Sequence, residues 1–141
     1  MNEIEQLIPH RAPFLFVDRI ESADSEKVIA CRKFTEEDFF FKGHFPEYPV
    51  VPGVILVETM AQAGGAGLRK IGVIGDNSLF FLGTVDKVKF RRQVRPGDEV
   101  RLEITNLRVS PRMIKQAGRA FVGDELAAEA EWMCLVAPAD S

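Results

Sequence analysis

The sequence predicts an α+β domain in which several long strands pack on one buried helix. Three observations carry this. From residue 53 to 68 the chain is Val, Ile, Leu, Met, Ala and Gly with little polar relief, and a helix that is apolar all round is a buried one. Residues 99–109 alternate Val100, Leu102 and Ile104 against Glu99, Arg101 and Glu103, the period of a half-buried strand. Residues 114–122 and 125–136 meet at Gly123-Asp124, a two-residue hairpin signal with glycine first. At 141 residues the chain is expected to be a single domain, 1–141, with one core and no repeat, linker or second domain.

The other elements follow in order. Residues 2–8 place acidic residues ahead of Ile4, Leu7 and Ile8, a short helical turn that Pro9 ends. Residues 14–20 are an apolar run predicted as the first strand, with Asp18 and Arg19 a surface pair at its end. Residues 23–26 form a turn and 27–34 a second strand. Thr35 with Asp38 three positions on caps a short turn. Phe39, Phe40 and Phe41 follow, and at least one is expected against a substrate tunnel or a partner subunit, since exposed together they invite aggregation. Pro52 suits a helix start. The helix is expected to end near Lys70, with Arg69 and Lys70 at the negative dipole end and Gly72 as the stop.

Gly64, Gly65 and Gly67 each weaken that helix by up to about 1 kcal/mol relative to Ala. Close approach of a strand or of a partner's helix is the expected compensation. Residues 75–78 are a turn. Residues 79–92 are a long strand, with Val85, Lys87, Lys89 and Arg91 facing opposite to Asp86, Val88, Phe90 and Arg92, and with Gly83 marking a bulge or a close approach. Pro96-Gly97-Asp98 is a turn, and the tail from Ala137 is expected to be loose.

Composition excludes some functions. A net charge of −3 argues against general nucleic-acid binding. Eleven Phe against one Tyr and one Trp suit a greasy pocket, a subunit interface or a Phe-rich core. Cys31 and Cys134 lie far apart in predicted strands, form no CxxC, and with two scattered His supply no zinc spacing. They are expected to be buried thiols in a reducing compartment. No basic-then-apolar leader follows Met1, and the longest apolar stretch is broken by Glu58 and by prolines. The expected location is the cytoplasm.

Glu58 is the residue that needs a reason. It interrupts the apolar helix, and Val54, Glu58 and Gln62 share one face at i, i+4 spacing. A buried carboxylate is costly unless paired, hydrogen-bonded or neutral. Desolvation raises its pKa and makes it a proton donor near neutral pH; the alternative is a carboxylate that reaches the surface or bonds a backbone group. His44 stands fourteen residues upstream in a loop crowded with Phe39, Phe40, Phe41, Phe45 and Tyr48. A neutral imidazole there is a candidate general base; the alternative is a packed His bonding a carbonyl. Together, a His base and a Glu acid at an apolar pocket suit removal of a proton beside a carbonyl with protonation of a leaving group. Lys42, Lys89, Arg91, Arg92 and Arg95 make either a basic patch able to steer an acidic partner or a solvated strand face.

These residues resemble a family. Pro9-His10-Arg11-Ala12-Pro13-Phe14-Leu15-Phe16-Val17-Asp18-Arg19, Gly43-His44-Phe45-Pro46 with Pro49-Val50-Val51-Pro52-Gly53, Glu58-Thr59-Met60-Ala61-Gln62, and Lys89-Phe90-Arg91-Arg92 with Pro96-Gly97-Asp98 are similar to the motifs of the beta-hydroxyacyl-(acyl carrier protein) dehydratases of fatty acid synthesis, the FabZ type. The resemblance runs over residues 7–136. It implies a hotdog fold, a long central helix wrapped by an antiparallel β-sheet, and a homodimer in which the His of one subunit faces the Glu of the other, often assembled into a hexamer. His44 and Glu58 are then the catalytic pair. Gly53 offers its N–H to the thioester carbonyl, and Gln62, Phe45 and Val54 complete the substrate-contacting set. The implied partner is acyl carrier protein bearing a 3-hydroxyacyl chain, and no cofactor or metal is expected. A relative that also isomerises its product typically has Asp where Glu58 stands, so Glu favours the plain dehydratase. Two alternatives stay open: a hotdog acyl thioesterase, and a non-catalytic acyl-binding hotdog.

Overall fold

The computed structural model describes residues 2–75 and 78–138. Asn2 caps a short helix, α1 (Glu3–Leu7), by accepting from the Glu5 N–H at 2.9 Å, and the Glu5 carboxylate accepts from the Asn2 N–H at 3.1 Å. That reciprocal pairing satisfies two N–H groups the helix itself cannot. β1 (Arg19–Ala23) and β2 (Lys27–Lys33) form a hairpin. Its turn is set by Asp24, whose carboxylate accepts from the Glu26 and Lys27 N–H groups at 2.8 Å each. A 3₁₀ turn (Phe39–Lys42) leads to a loop and then to α2 (Gly53–Lys70). β3 (Ser78–Phe90), β4 (Glu99–Val109), β5 (Met113–Val122) and β6 (Glu125–Pro138) complete the chain.

The six strands form one antiparallel sheet in the order β1-β2-β4-β5-β6-β3. α2 touches all six of them. Pro52 stands immediately before its first residue, one place ahead of the first helical position expected for it, and the helix ends where Gly72 turns left-handed at φ 80°. The Gly72 N–H donates to Arg69 O at 3.0 Å and the Val73 N–H to Leu68 O at 3.2 Å. This closing pair needs a residue free of the Cβ penalty at positive φ.

The core lies between α2 and the concave face of the sheet. Val28 and Ala30 of β2, Val100, Leu102 and Ile104 of β4, Ile114 and Ala120 of β5 and Trp132 of β6 are buried against Met60 and Leu68. The helix approaches the sheet this closely because it lacks side chains where they meet. A Cβ on Gly67 would run into the methyl groups of Val28, and one on Gly64 into the amide of Gln116. Gln116 is itself fully buried and hydrogen-bonded through both amide atoms. Its Oε1 accepts from Trp132 Nε1 at 3.1 Å, and its Nε2 donates to Asn106 Oδ1 at 2.8 Å. The strand approach expected as compensation for the glycines is thus present at Gly64 and Gly67.

Three expectations need correction. The first strand starts at Arg19, not Phe14. The backbone of residues 14–16 has another partner: Gln62 of α2 accepts from the Phe16 N–H and donates to Phe14 O, so no neighbouring strand pairs there. The strand predicted over 79–92 ends at Phe90, and its alternation breaks. The register shifts at Gly83, as expected, and again between Asp86 and Lys89, where Lys87 takes φ 53°. Asp86 pairs with Glu131 and Lys89 with Glu129, so both face the same side. Of the Phe run, Phe40 and Phe41 pack into this chain's own core, while Phe39 stays exposed, the one of the three still free to meet a tunnel or a partner subunit. Ala137 and Pro138 belong to β6 rather than to a loose tail. Asp76 and Asn77 of the predicted turn, and residues 139–141 of the predicted tail, lie outside the described residues.

Candidate active site

Two concavities flank the first half of α2. The first opens at the start of the helix, about 410 Å³ in volume, between Val50, Val51, Gly53, Leu56, Phe90 and the Arg91-Arg92 pair. Gly53 is the first helical residue, so its N–H has no carbonyl one turn back within the helix. A Cβ there would lie 2.6 Å from Phe90 Cζ, so glycine is what lets that ring lie over the helix start as it does.

The second concavity, about 300 Å³, lies one turn further on. Glu58, Gln62, His10, Phe14, Leu82 and Cys134 are among the residues that line it. The Glu58 side chain is 19% exposed, and burial raises its pKa above the ordinary carboxylate value, against a smaller lowering by its hydrogen bond from Gln62. The orientation of the Gln62 amide follows from its surroundings. The Phe16 N–H can only donate, so it faces Gln62 Oε1, at 2.9 Å. The Gln62 Nε2 group must then donate, to Phe14 O at 3.1 Å and to Glu58 Oε2 at 2.9 Å. Burial, with the nearby Glu58, pushes the Cys134 thiol up to about 12, so it stays neutral. Cys31 and Cys134 are both free and buried.

His44 sits in the loop after the 3₁₀ turn. The turn ahead of it is anchored by Arg32, which pairs with Asp38, while the Asp38 carboxylate accepts from the Thr35 N–H at 2.9 Å. The acid three residues after Thr35 thus acts as the acceptor of the predicted turn. The His44 N–H donates to Phe40 O at 3.0 Å. His44 Nδ1 lies 2.9 Å from Val50 O. A carbonyl accepts only, so Nδ1 carries a hydrogen toward it, and Nε2 is the nitrogen left to act as a base. Bonding a carbonyl and serving as a base, posed above as alternatives, are therefore compatible.

Within one chain, Glu58 and Gln62 are brought together, and His44 is not among the residues that line their cavity. Gly53 opens on the other concavity. Phe45 (62% exposed, φ 55°) and Val54 (75% exposed) project outward. Of the basic group, Arg91 pairs with Glu129 at 3.3 Å, Arg92 with Glu125 at 3.4 Å, and Arg95 stacks 4.3 Å over the Tyr48 ring. Lys42 and Lys89 are exposed. One residue that the sequence reading passed over stands in the cavity: His10, whose Nε2 is 3.6 Å from Glu58 Oε2. It was visible only as a member of the N-terminal motif, and as the second of two histidines.

The model of the FabA-like domain matches residues 8–131. The chain is 46% identical over 137 residues to the 3-hydroxyacyl-[acyl-carrier-protein] dehydratase FabZ of Desulforamulus reducens, covering 96% of each chain. It is 44% identical to the protein of that name from Pelotomaculum thermopropionicum, covering 96% of this chain and 97% of that one. Among solved structures, the dehydratase heterocomplex ApeI:P from Xenorhabdus doucetiae superposes with a TM-score of 0.83 at 16% identity, over 96% of this chain and 91% of that one. A mutant thioesterase from Pseudomonas aeruginosa superposes with a TM-score of 0.63 at 16% identity, over 86% and 81%. At such identities the likeness is one of fold, and the fold is the expected hotdog.

Proposed function

The chain belongs to the FabZ-type 3-hydroxyacyl-[acyl-carrier-protein] dehydratases, and from that premise we propose that it removes water from a (3R)-hydroxyacyl thioester on acyl carrier protein to give the trans-2-enoyl thioester in fatty acid synthesis. The observation that carries the reading is Glu58: a carboxyl in a largely apolar cavity, with a raised pKa and one oxygen left uncapped. The Gly53 N–H donates to the thioester carbonyl oxygen, at the positive end of the helix dipole. His44 Nε2 takes the C2 proton. The C2–H electron pair forms the C2–C3 double bond, the C3–O bond breaks, and Glu58 protonates the departing hydroxyl. Phe45, Val54 and Gln62 lie near these groups in sequence and complete the proposed site. No cofactor or metal enters this scheme, because the thioester itself acidifies C2.

His44 and Glu58 are proposed to meet across two chains. β3 supports this: it is an edge strand with Phe81, Leu82, Val85 and Val88 exposed. A second copy pairing along that edge would hide them. The same contact would cover Phe45 and Val54. Three such dimers would form the hexamer. Arg91 and Arg92, at the rim of the Gly53 cavity, suit an acidic carrier protein. Free, buried Cys31 and Cys134 suit the cytoplasm. Among the described residues no helix is long and apolar enough to cross a membrane.

The direct test is hydration of a trans-2-enoyl thioester, followed by loss of ultraviolet absorbance. The expected result is absorbance loss without thiol release. Thiol release would instead make the protein a thioesterase, and saturable binding without turnover an acyl-binding module.

The two-chain site makes a second prediction. His44→Ala and Glu58→Gln should each be nearly inactive. Co-expressed, they should recover about a quarter of wild-type activity, because random pairing makes half the dimers mixed and each mixed dimer has one intact site. No recovery from a mixed population would place both groups in the same chain.

A further inference from the structure

His10 has no part in the scheme above, yet it lines the cavity that holds Glu58. It lies on the loop after α1. Arg11 clips that loop, its Nη1 donating to Ile8 O at 2.9 Å and His10 O at 2.7 Å. The His10 ring is turned inward, 21% exposed. Its Nδ1 is buried without a hydrogen-bond partner, and its Nε2 points at Glu58 Oε2 from 3.6 Å.

Burial and the neighbouring Arg11 lower the His10 pKa, so the ring is neutral and carries one hydrogen. A hydrogen on Nδ1 would be a buried donor without an acceptor. A bare Nδ1 lone pair is the more tolerable orphan. The hydrogen therefore sits on Nε2 and faces Glu58. The gap is a few tenths of an ångström beyond a hydrogen bond, and catalytic contacts of this kind commonly tighten when substrate binds.

Two donors then converge on one oxygen. Gln62 Nε2 already donates to Glu58 Oε2, in an orientation fixed by the Phe16 N–H. With His10 Nε2–H as the second donor, Oε2 is an acceptor only. The acid proton must reside on Oε1.

We propose that His10 is a positioning residue for the acid: with Gln62 it caps Oε2 of Glu58, keeps the proton on Oε1, and holds the carboxylate once that proton has gone to the leaving hydroxyl. This rests on Glu58 being the acid. The balance closes without any added reagent. The Oε1 proton leaves with the hydroxyl as water, the C2 proton is on His44 of the second chain, and it returns to Glu58 through solvent. The titratable and charged groups facing Glu58 are His10 with its neighbour Arg11 from the α1 loop, Cys134 from β6, and in the proposed dimer His44 of the second chain.

The test is the pH profile of turnover for wild type, His10→Phe and His10→Gln, with Glu58→Gln as control. Phe keeps the bulk and removes the donor. The Glu58 carboxylate is then less favoured, and the alkaline limb, where the acid loses its proton, should move up by about one pH unit. Turnover at neutral pH should fall about tenfold. His10→Gln restores an N–H and should bring both back toward wild type. If His10→Phe leaves rate and limb unchanged while Glu58→Gln is inactive, the positioning role is wrong. If Glu58→Gln itself remains active, the acid assignment beneath it is wrong. Should the Phe variant fail to fold, nitrogen NMR of His44→Ala, which retains His10 alone, reads the tautomer directly. A hydrogen on Nε2 is expected, and one on Nδ1 overturns the proposal.

Discussion

Glu58→Gln should lower turnover of an enoyl thioester by at least about 10²–10⁴ and, at neutral pH, make the protein more stable than wild type. Both effects come from one cause. Burial raises the Glu58 pKa in the folded state above its value in the unfolded chain. The folded protein therefore holds that proton more tightly than the unfolded one. The stability this confers is fully present below the unfolded pKa and is lost as pH rises through the folded pKa. Above that point the ionised carboxylate opposes folding, and a neutral amide does not. Thermal unfolding of the two proteins should thus diverge at pH 8, with the variant melting higher, and converge near pH 4. Equal stabilities at both pH values would mean that Glu58 is solvated like any surface acid. On the role proposed for Glu58, the acid is a group kept for chemistry at the expense of the fold, the usual direction of that conflict.

Gly67→Ala should lower the unfolding free energy by about 1–3 kcal/mol. On helix propensity alone it would raise it by about 1 kcal/mol. Sterics decide the sign. The added Cβ would run into Val28, which is 0% exposed and has no room to withdraw. Gly65→Ala is the internal contrast. Its nearest neighbour is the Phe80 ring at 3.1 Å, and Phe80 is only half-buried and able to give. Denaturant titration should rank Gly67→Ala well below Gly65→Ala. Adding Val28→Ala to Gly67→Ala should cost less than the two separate losses combined, because the second truncation makes room for the first insertion. Strict additivity would show that the helix shifts away from β2 rather than clashing with it.

Much of the fold was legible because its signals are local. α2 runs between a proline that suits its first turn and a glycine that suits its last, and both ends fell where those residues put them. β4 and the β5–β6 hairpin follow from alternation and from Gly123, which takes φ 59°. The misplaced first strand has a non-local cause: a side chain 46 residues away occupies the backbone of residues 14–16. The second slip in β3 turns on Lys87 at positive φ, which no rule for lysine anticipates. At the candidate site, Glu58 stood out as a carboxylate inside an apolar run. His10 did not, because its significance lies in a distance to a residue 48 positions later and in a nitrogen left without a partner.

The order β1-β2-β4-β5-β6-β3 also has a consequence for how the chain is made. β3 is synthesised third of the six strands, but its only neighbour within the chain is β6, the last. Until β6 emerges from the ribosome, thirteen residues carrying Phe80, Phe81, Leu82, Val85 and Phe90 have no intramolecular ladder to join. Parts of the rest can condense earlier: β1 with β2, and then β4 with β2, require nothing downstream of Val109. The nascent protein therefore carries an unpaired apolar strand through most of the synthesis of its own second half, the kind of segment that chaperones retain.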